Sequence, residues 1–359
     1  MRLLACSIVA SVAIALALYC LNKVSVPACR SLILRASKAG LRLLYRLVRP
    51  LLASSASLLR RWGGPRLVIP IILSRTRLEF DARLYVHRLV SEYLSKREPI
   101  DDGSSVWKEG DVGNRIWFYW AQGMTSMPDI VKTCYRRLCS TNIDSEVIFL
   151  HDGNIHEFVS LPGYILEKIH FNKTHFSDIL RVSLLAQYGG VWIDSTCYCA
   201  DRISSLVLAT KRTGFFAYRR NDRDQYMLAS WFLISKQKSR ICTLIRDVLL
   251  YYWAQDDALS NKVFPRWDTT PYFLFHFIFE ALYNLDREFR IAWDCSFDLN
   301  AYDPHILQQS LLKTFEETEW NRMLNMALVH KLTYRLPSVK DKDGQFSQTF
   351  LDYLLDQSR

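Results

Sequence analysis

A chain of 359 residues, half of them hydrophobic and 13% aromatic, holds enough apolar material for one large core or two modest ones, which excludes a largely disordered polypeptide. Its net charge of +10 is lopsided: residues 1–100 hold 17 Lys/Arg against 4 Asp/Glu, while the remainder is nearly balanced at 29 against 32. A nucleic-acid binder carries its basic stripe on the folded domain; here the excess flanks an apolar segment, which argues against nucleic acid as a partner and for anionic membrane lipid.

That segment, Leu3 to Leu21, contains no charge. At about 1.5 Å per residue its roughly 19 residues match the hydrocarbon thickness of a bilayer. The expectation is a retained membrane anchor over residues 1–22. The rival is a signal peptide with Arg2 as its short positive region, but the apolar run is longer than usual and no small-x-small cleavage site follows it. Lys23, Arg30, Arg35, Lys38, Arg42, Arg46 and Arg49 all come after the segment, so the positive-inside rule keeps the body of the chain on the cytoplasmic face. Nine cysteines without dense spacing read as reduced thiols and agree with that face. The sequon Asn172–Lys173–Thr174 keeps a Golgi-lumen orientation open as the alternative.

Residues 23–75 read as a basic amphipathic, membrane-proximal region, with leucines interleaved with arginines over 31–62, a break at Pro50 and an end at Trp62–Gly63–Gly64–Pro65. Residues 76–113 comprise a helix over 76–97 and a polar, turn-rich linker over 99–113. From Asn114 to residue 359 the pattern alternates between strand and helix. Arg115–Trp120 and Glu146–Leu150 are strand-like runs, and Pro128 opens a helix between them. Ser177 to Tyr188 is helical, Gly189–Gly190 stops it, and Val191–Ile193 is a buried strand ending at Asp194. This spacing predicts an α/β fold with a mostly parallel, Rossmann-like sheet flanked by helices. Ligands then bind outside the carboxyl ends of the strands, and Asp194 is one of those ends.

The residues between Ser177 and Thr196 carry the chemistry. Ser177 is read as the helix N-cap, with Asp178 in the first turn and Arg181 three residues on, sharing its face. A carboxylate fixed beside a guanidinium can grip vicinal hydroxyls, although taken alone the pair is more simply read as a capping Asp paired with Arg for stability. Gly189 and Gly190 allow a sharp turn and a close approach to a ligand. Asp194, Ser195 and Thr196 offer hard oxygen donors, suited to a divalent cation such as Mn²⁺ or Mg²⁺ that bridges a pyrophosphate; an ordinary strand-end turn is the plainer alternative.

The string S-D-I-L-R-x-x-x-L-x-x-Y-G-G-V-W-I-D-S-T resembles the signature of the DXD-type sugar transferases, a group that includes the fungal initiating mannosyltransferases, and within it is similar to the bacterial capsular polysaccharide synthesis proteins. Asn114-Arg-Ile-Trp-Phe-Tyr-Trp-Ala-Gln-Gly123 is similar to the family's first strand and nucleotide-binding loop, and His330-Lys-Leu-Thr-Tyr-Arg335 to its closing motif. The resemblance implies a GT-A type fold and a glycosyltransferase that moves a sugar from a nucleoside diphosphate to a polysaccharide or lipid-linked glycan acceptor, with retention of configuration. It further implies that Trp120 stacks on the nucleobase, with Gln122 and Gly123 in the same loop. Asp178 and Arg181 would hold the donor sugar, and Asp194 would face ribose, sugar or metal. His330 would bind metal or pyrophosphate, and Lys331 would be a cation for the pyrophosphate. Thr196 stands where many relatives place a second, metal-binding Asp, which weakens the case for a tightly held cation.

Other features are expected to be structural. Cys197-x-Cys199 has no second pair at zinc spacing. Trp267 to His276 reads as core packing, with acceptor stacking on Trp267 or Tyr272 as the alternative.

Overall fold

The computed structural model describes residues 65–97, 111–169, 172–220, 226–255, 272–336 and 348–356. The anticipated anchor at 1–22, the basic run over 31–62 and most of the linker at 99–113 lie outside them, as does Trp267. Among the described residues no helix is long and apolar enough to cross a membrane.

The first described helix, α1 (Pro65–Lys96), begins at a proline in its first turn, where no amide is needed. It therefore starts before the helix expected at 76. The chain from Ala82 onward is one compact unit. Its centre is a five-stranded sheet built from β1 (Arg115–Tyr119), β2 (Glu146–Leu150), β3 (Gly190–Asp194), β5 (Phe215–Arg219) and β6 (Leu228–Ser235), in the order β2-β1-β3-β6-β5. β1 pairs in parallel with β2 and with β3, β6 is antiparallel to both β3 and β5, and so four of the five strands point one way. β4 (Cys197–Cys199) and β7 (Val329–Lys331) form a separate two-stranded ladder.

Helix α2 (Asp129–Thr141) connects β1 to β2, and α3 (Gly163–Ile169) and α4 (Lys173–Tyr188) connect β2 to β3. β1 and β3 are short β-branched and aromatic runs buried on both faces, which is why they read as strands without an exposed polar side, whereas β2 is an edge strand that begins at the exposed Glu146. Side chains alternate across the sheet. Trp117, Tyr119 and Trp192 enter a core shared with α4 and the helices Arg240–Ala254 and Leu274–Leu285. Ile116, Phe118, Val191 and Ile193 enter a second core with α2 and the C-terminal segments.

The start of α4 differs from the sequence expectation. Asn172, not Ser177, is the N-cap, its side chain accepting from the His175 amide. Ser177 lies a turn inside, its hydroxyl donating to the Thr174 carbonyl. Asp178 is thus held by burial and by Arg181 rather than by the helix dipole of a first turn.

Gly189 and Gly190 also have a different duty from the one expected. Both hold positive φ, at 70° and 97°, and a Cβ on Gly190 would come 2.4 Å from the Arg115 carbonyl oxygen. One on Gly189 would come 2.8 Å from the Gln237 amide and 2.9 Å from the Val112 carbonyl. These glycines let backbone pack on backbone where β3 begins, about 13 Å from its carboxyl end at the usual strand rise. Protein, not ligand, makes the close approach.

Candidate active site

The chain leaves β1 for β2 on one side and returns to β3 on the other, so the carboxyl ends of β1 and β3 border the crevice where open α/β sheets take ligands. Tyr119, the last residue of β1, is the register partner of Asp194, the last of β3. The Trp120–Gly123 loop and the Asp194–Thr196 turn therefore depart from neighbouring strand ends.

At the end of β3, charges alternate. One Arg181 guanidinium nitrogen is 2.8 Å from Asp178 Oδ1 and the other 3.4 Å from Asp194 Oδ1. The Arg181 and Asp178 side chains are 5% and 6% exposed, against 27% for Asp194. Arg181 also donates to the Ser177 hydroxyl, and its guanidinium lies 5.3 Å from the ring centre of Trp192 and 5.8 Å from that of Phe275. Beyond Asp194, the Lys331 Nζ is 2.9 Å from Asp194 Oδ2 and 2.8 Å from Thr196 Oγ1. The ladder β4–β7 delivers this lysine by setting it opposite Cys197, and the Leu332 amide donates to the Thr196 carbonyl to close the register.

Asp178, Arg181, Asp194, Thr196 and Lys331 are thus one cluster. Its buried members support the more exposed Asp194. Burial pushes the Asp178 carboxyl up to about 7, against the pull of Arg181, with the Asp194 charge adding to the rise. Burial would raise Asp194 as well, but Lys331 and Arg181, with hydrogen bonds from Lys331 and Trp192, hold it below the usual range. Burial disfavours the Lys331 ammonium, but the Asp194 charge, its hydrogen bond and the neighbouring Cys197 together outweigh that, so its pKa is raised.

His330 does not join this group. Adjacent strand residues point to opposite faces. With Lys331 turned to Asp194, His330 is fully buried among the carbonyls of Leu324, Ala327 and Pro304. Burial lowers its pKa to about 4 despite those carbonyls, leaving a neutral imidazole. The donors assigned to a divalent cation thus reduce to one carboxylate and one hydroxyl. Trp192 Nε1 already donates to Asp194 Oδ1 at 3.0 Å, and Lys331 takes Oδ2 and Thr196. Among the described residues no group of three or more His, Cys, Asp or Glu side chains is arranged to hold a metal ion. The protein offers a hard cation one carboxylate and one hydroxyl, both already engaged by the Lys331 ammonium, and in this arrangement the residues do not fit a divalent ion.

The loop after β1 is built to present Trp120. Its amide donates to the Leu150 carbonyl and its half-buried ring meets Tyr334 edge-on at 5.5 Å. The Gln122 carbonyl accepts from the Ser126 hydroxyl, and Gly123 holds φ 84° with nothing near its Cβ position.

Three features escaped the sequence reading. Trp192 hydrogen-bonds Asp194 from two residues away on the same strand face, a relation that strand periodicity alone would have revealed. The Tyr119 hydroxyl donates to Asp152 Oδ1 and the Lys173 Nζ to its Oδ2, both at 2.6 Å, which ties the ends of β1 and β2 to the start of α4. His276 stands at the edge of the cluster. Burial, then the charges of Arg220, Arg181 and Arg83, lower its pKa to about 3. Its segment was read as core packing, and the flanking Leu274 and Phe275 are indeed buried, whereas Tyr272 is 67% exposed. Cys197 and Cys199 are buried free thiols on β4.

A cavity of about 460 Å³ lined by residues such as Asp201, Tyr218, Asn300, Asp303 and Asn321 includes none of the cluster residues.

A model of the family described as capsular polysaccharide synthesis protein matches residues 71–354. No curated protein matches the chain. A solved structure described as "PaToxG Glycosyltransferase" is 13% identical over 63% of this chain and 84% of that chain, with a TM-score of 0.35, a likeness too slight to bear on function.

Proposed function

The chain belongs to the capsular polysaccharide synthesis protein family, and on that footing we propose that it is a glycosyltransferase moving a sugar from a nucleoside diphosphate donor to a growing, lipid-carried surface polysaccharide or glycan. One observation supports this reading above the rest. Two carboxylates and two cations converge at the carboxyl end of β3, the edge of the crevice where an open α/β sheet takes its ligand. Had Asp178, Arg181 and Asp194 pointed into separate regions, the motif would have been three unrelated structural residues.

In the proposed reaction Trp120 stacks on the nucleobase, with Gln122 and Gly123 shaping the loop beneath it. Asp194 accepts hydrogen bonds from ribose or sugar hydroxyls, and Asp178 with Arg181 holds that carboxylate in place from below. The bond from the sugar C1 to the diphosphate oxygen breaks, and its electron pair leaves with the diphosphate. The acceptor hydroxyl forms the new bond to C1 from the same face, and its proton passes to a diphosphate oxygen, so configuration is retained. Lys331 meets the developing negative charge by contact and Arg181 through its field, a preorganised stabilisation of the kind that supplies much of catalysis in water-poor sites.

The apolar run Leu3–Leu21 and the arginine-rich stretch that follows support attachment to an anionic membrane, with the catalytic body on the cytoplasmic face, where a lipid-linked acceptor is within reach.

The test is turnover of full-length protein with UDP-glucose, UDP-galactose, UDP-N-acetylglucosamine, GDP-mannose and CDP- or dTDP-linked sugars, with and without Mn²⁺. The expected result is release of nucleotide from at least one donor, lost in Asp194→Asn. Silence from the wild type with every donor under both conditions refutes the proposal. NMR of the first product reports whether the anomeric configuration survives.

A further inference from the structure

We propose that the Lys331 ammonium occupies the place of the divalent cation, so that this enzyme binds and releases the diphosphate without a metal. The inference rests on the donor reading above and concerns what neutralises that donor.

Three observations converge on it. The first is that both side chains of the Asp-x-Thr turn are directed at one nitrogen, with Lys331 Nζ 2.9 Å from Asp194 Oδ2 and 2.8 Å from Thr196 Oγ1. An ammonium has three N–H donors and no acceptor. Two are spent on the turn, and the third remains for a diphosphate oxygen. Secondly, Thr196 suits this role better than an acid. A second carboxylate calls for a second unit of positive charge, as a divalent ion supplies; a neutral hydroxyl beside a single Asp matches a univalent ammonium. In this chain the single carboxylate of the turn and the single charge of Lys331 therefore balance one another. Thirdly, the lysine is placed by backbone. Lys331 lies opposite Cys197 on the β4–β7 ladder, and the Leu332 amide donates to the Thr196 carbonyl at 2.8 Å. Its side chain is 19% exposed, so the charge is fixed instead of sweeping through solvent.

A metal ion entering this position would meet Lys331 and Arg181 at close range and would have to displace the ammonium from both oxygens. His330, the remaining nitrogen donor, is on the far face of β7 and cannot compensate.

The experiment uses full-length, chelator-treated protein and two readouts. Binding of UDP, GDP, CDP and dTDP is followed by calorimetry in EDTA and again in MnCl₂, and Mn²⁺ alone is titrated by EPR. Wild type is expected to bind at least one diphosphate equally in both buffers and to show no stoichiometric Mn²⁺ site. Lys331→Met is expected to lose diphosphate affinity in EDTA by at least about tenfold, as for loss of a charged phosphate contact, and to regain part of it with Mn²⁺. Diphosphate binding by wild type only in Mn²⁺, or a Mn²⁺ site that disappears in Asp194→Asn, overturns the inference and leaves the glycosyltransferase reading standing. No binding of any diphosphate in either buffer removes both. The wild-type comparison decides the matter even if the Lys331 variant does not fold.

Discussion

Replacing Arg181 with Met tests whether the cluster is held together from beneath. The methionine keeps most of the stem's packing against Trp192 and Phe275 but removes the guanidinium that contacts Asp178 at 2.8 Å and Asp194 at 3.4 Å. Asp194 retains Lys331 and Trp192, so its loss is partial. Asp178, 6% exposed, is left with no opposing charge at all among the groups that set its ionisation. Breaking a buried pair from one side costs up to about 3–5 kcal/mol where the surviving charge stays ionised, and Asp178, already raised to about 7, offsets part of this by taking up a proton, so a loss of about 2–4 kcal/mol is expected. For a domain of this size that corresponds to a fall in Tm of roughly 10 °C. The assay is urea unfolding at pH 8 together with thermal circular dichroism. The double variant Asp178→Asn/Arg181→Met then supplies the control. With the orphaned carboxylate gone, about 1–3 kcal/mol should return, which makes the double variant more stable than Arg181→Met alone. A single-variant loss below about 1 kcal/mol, or a double variant less stable than the single one, would refute the claim that Arg181 exists to hold two carboxylates.

Other expectations follow from the same geometry. Since burial raises the Asp178 pKa to about 7, the folded state holds a proton that the unfolded chain has released above about pH 4. Its contribution is therefore fully present at low pH and is lost as pH rises through 7, so the stability difference between wild type and Asp178→Asn should drift by up to a few kcal/mol between pH 4 and 8, measured by denaturant titration. Gly190→Ala should destabilise by more than about 3 kcal/mol or prevent folding, because its Cβ would overlap the Arg115 carbonyl, whereas Gly123→Ala, with open space around it, should cost only the 1–2 kcal/mol or so of a positive φ. Equal losses at the two glycines would contradict the assignment of one to packing and the other to an open loop. Trp120→Ala should weaken nucleoside diphosphate binding by about 1–3 kcal/mol, read by calorimetry, with little change for a ribose diphosphate that lacks a base. Equal weakening of both ligands would move Trp120 out of the base site.

Much of this site was legible in the residues, and what was hidden was hidden for stateable reasons. A short buried strand ending in Asp194 announces itself because apolar side chains give way abruptly to a carboxylate at the place where open sheets bind ligands. Asp178 and Arg181 were legible as a pair because three residues on a helix share a face. What lies beneath the pair was not: nothing local says that Ser177 is already inside the helix, since Asn172 and Ser177 are both good caps and only the tertiary burial of His175 and Phe176 favours the earlier one. Gly189–Gly190 shows that the backbone needs positive φ without showing what comes near it, and here that is the carbonyl of Arg115 rather than a phosphate.

His330 and Lys331 show how a local rule can be overlooked. As neighbours in a closing motif they look like joint ligands, yet strand alternation alone forbids two adjacent side chains from reaching one ion. Once β7 is recognised as a strand, one of the two must turn away. The lysine's approach to Asp194 is a different kind of fact. The two residues are 137 apart in the chain, and their contact depends on β7 pairing with β4 so that Lys331 stands opposite Cys197. Slipping that ladder by one residue would present His330 to the Asp-x-Thr turn and bury the ammonium on the other side. The choice between a metal-binding imidazole and a built-in cation is therefore made by the register of a three-residue strand, which its pairing with β4 and the hydrogen bond from the Leu332 amide to the Thr196 carbonyl hold.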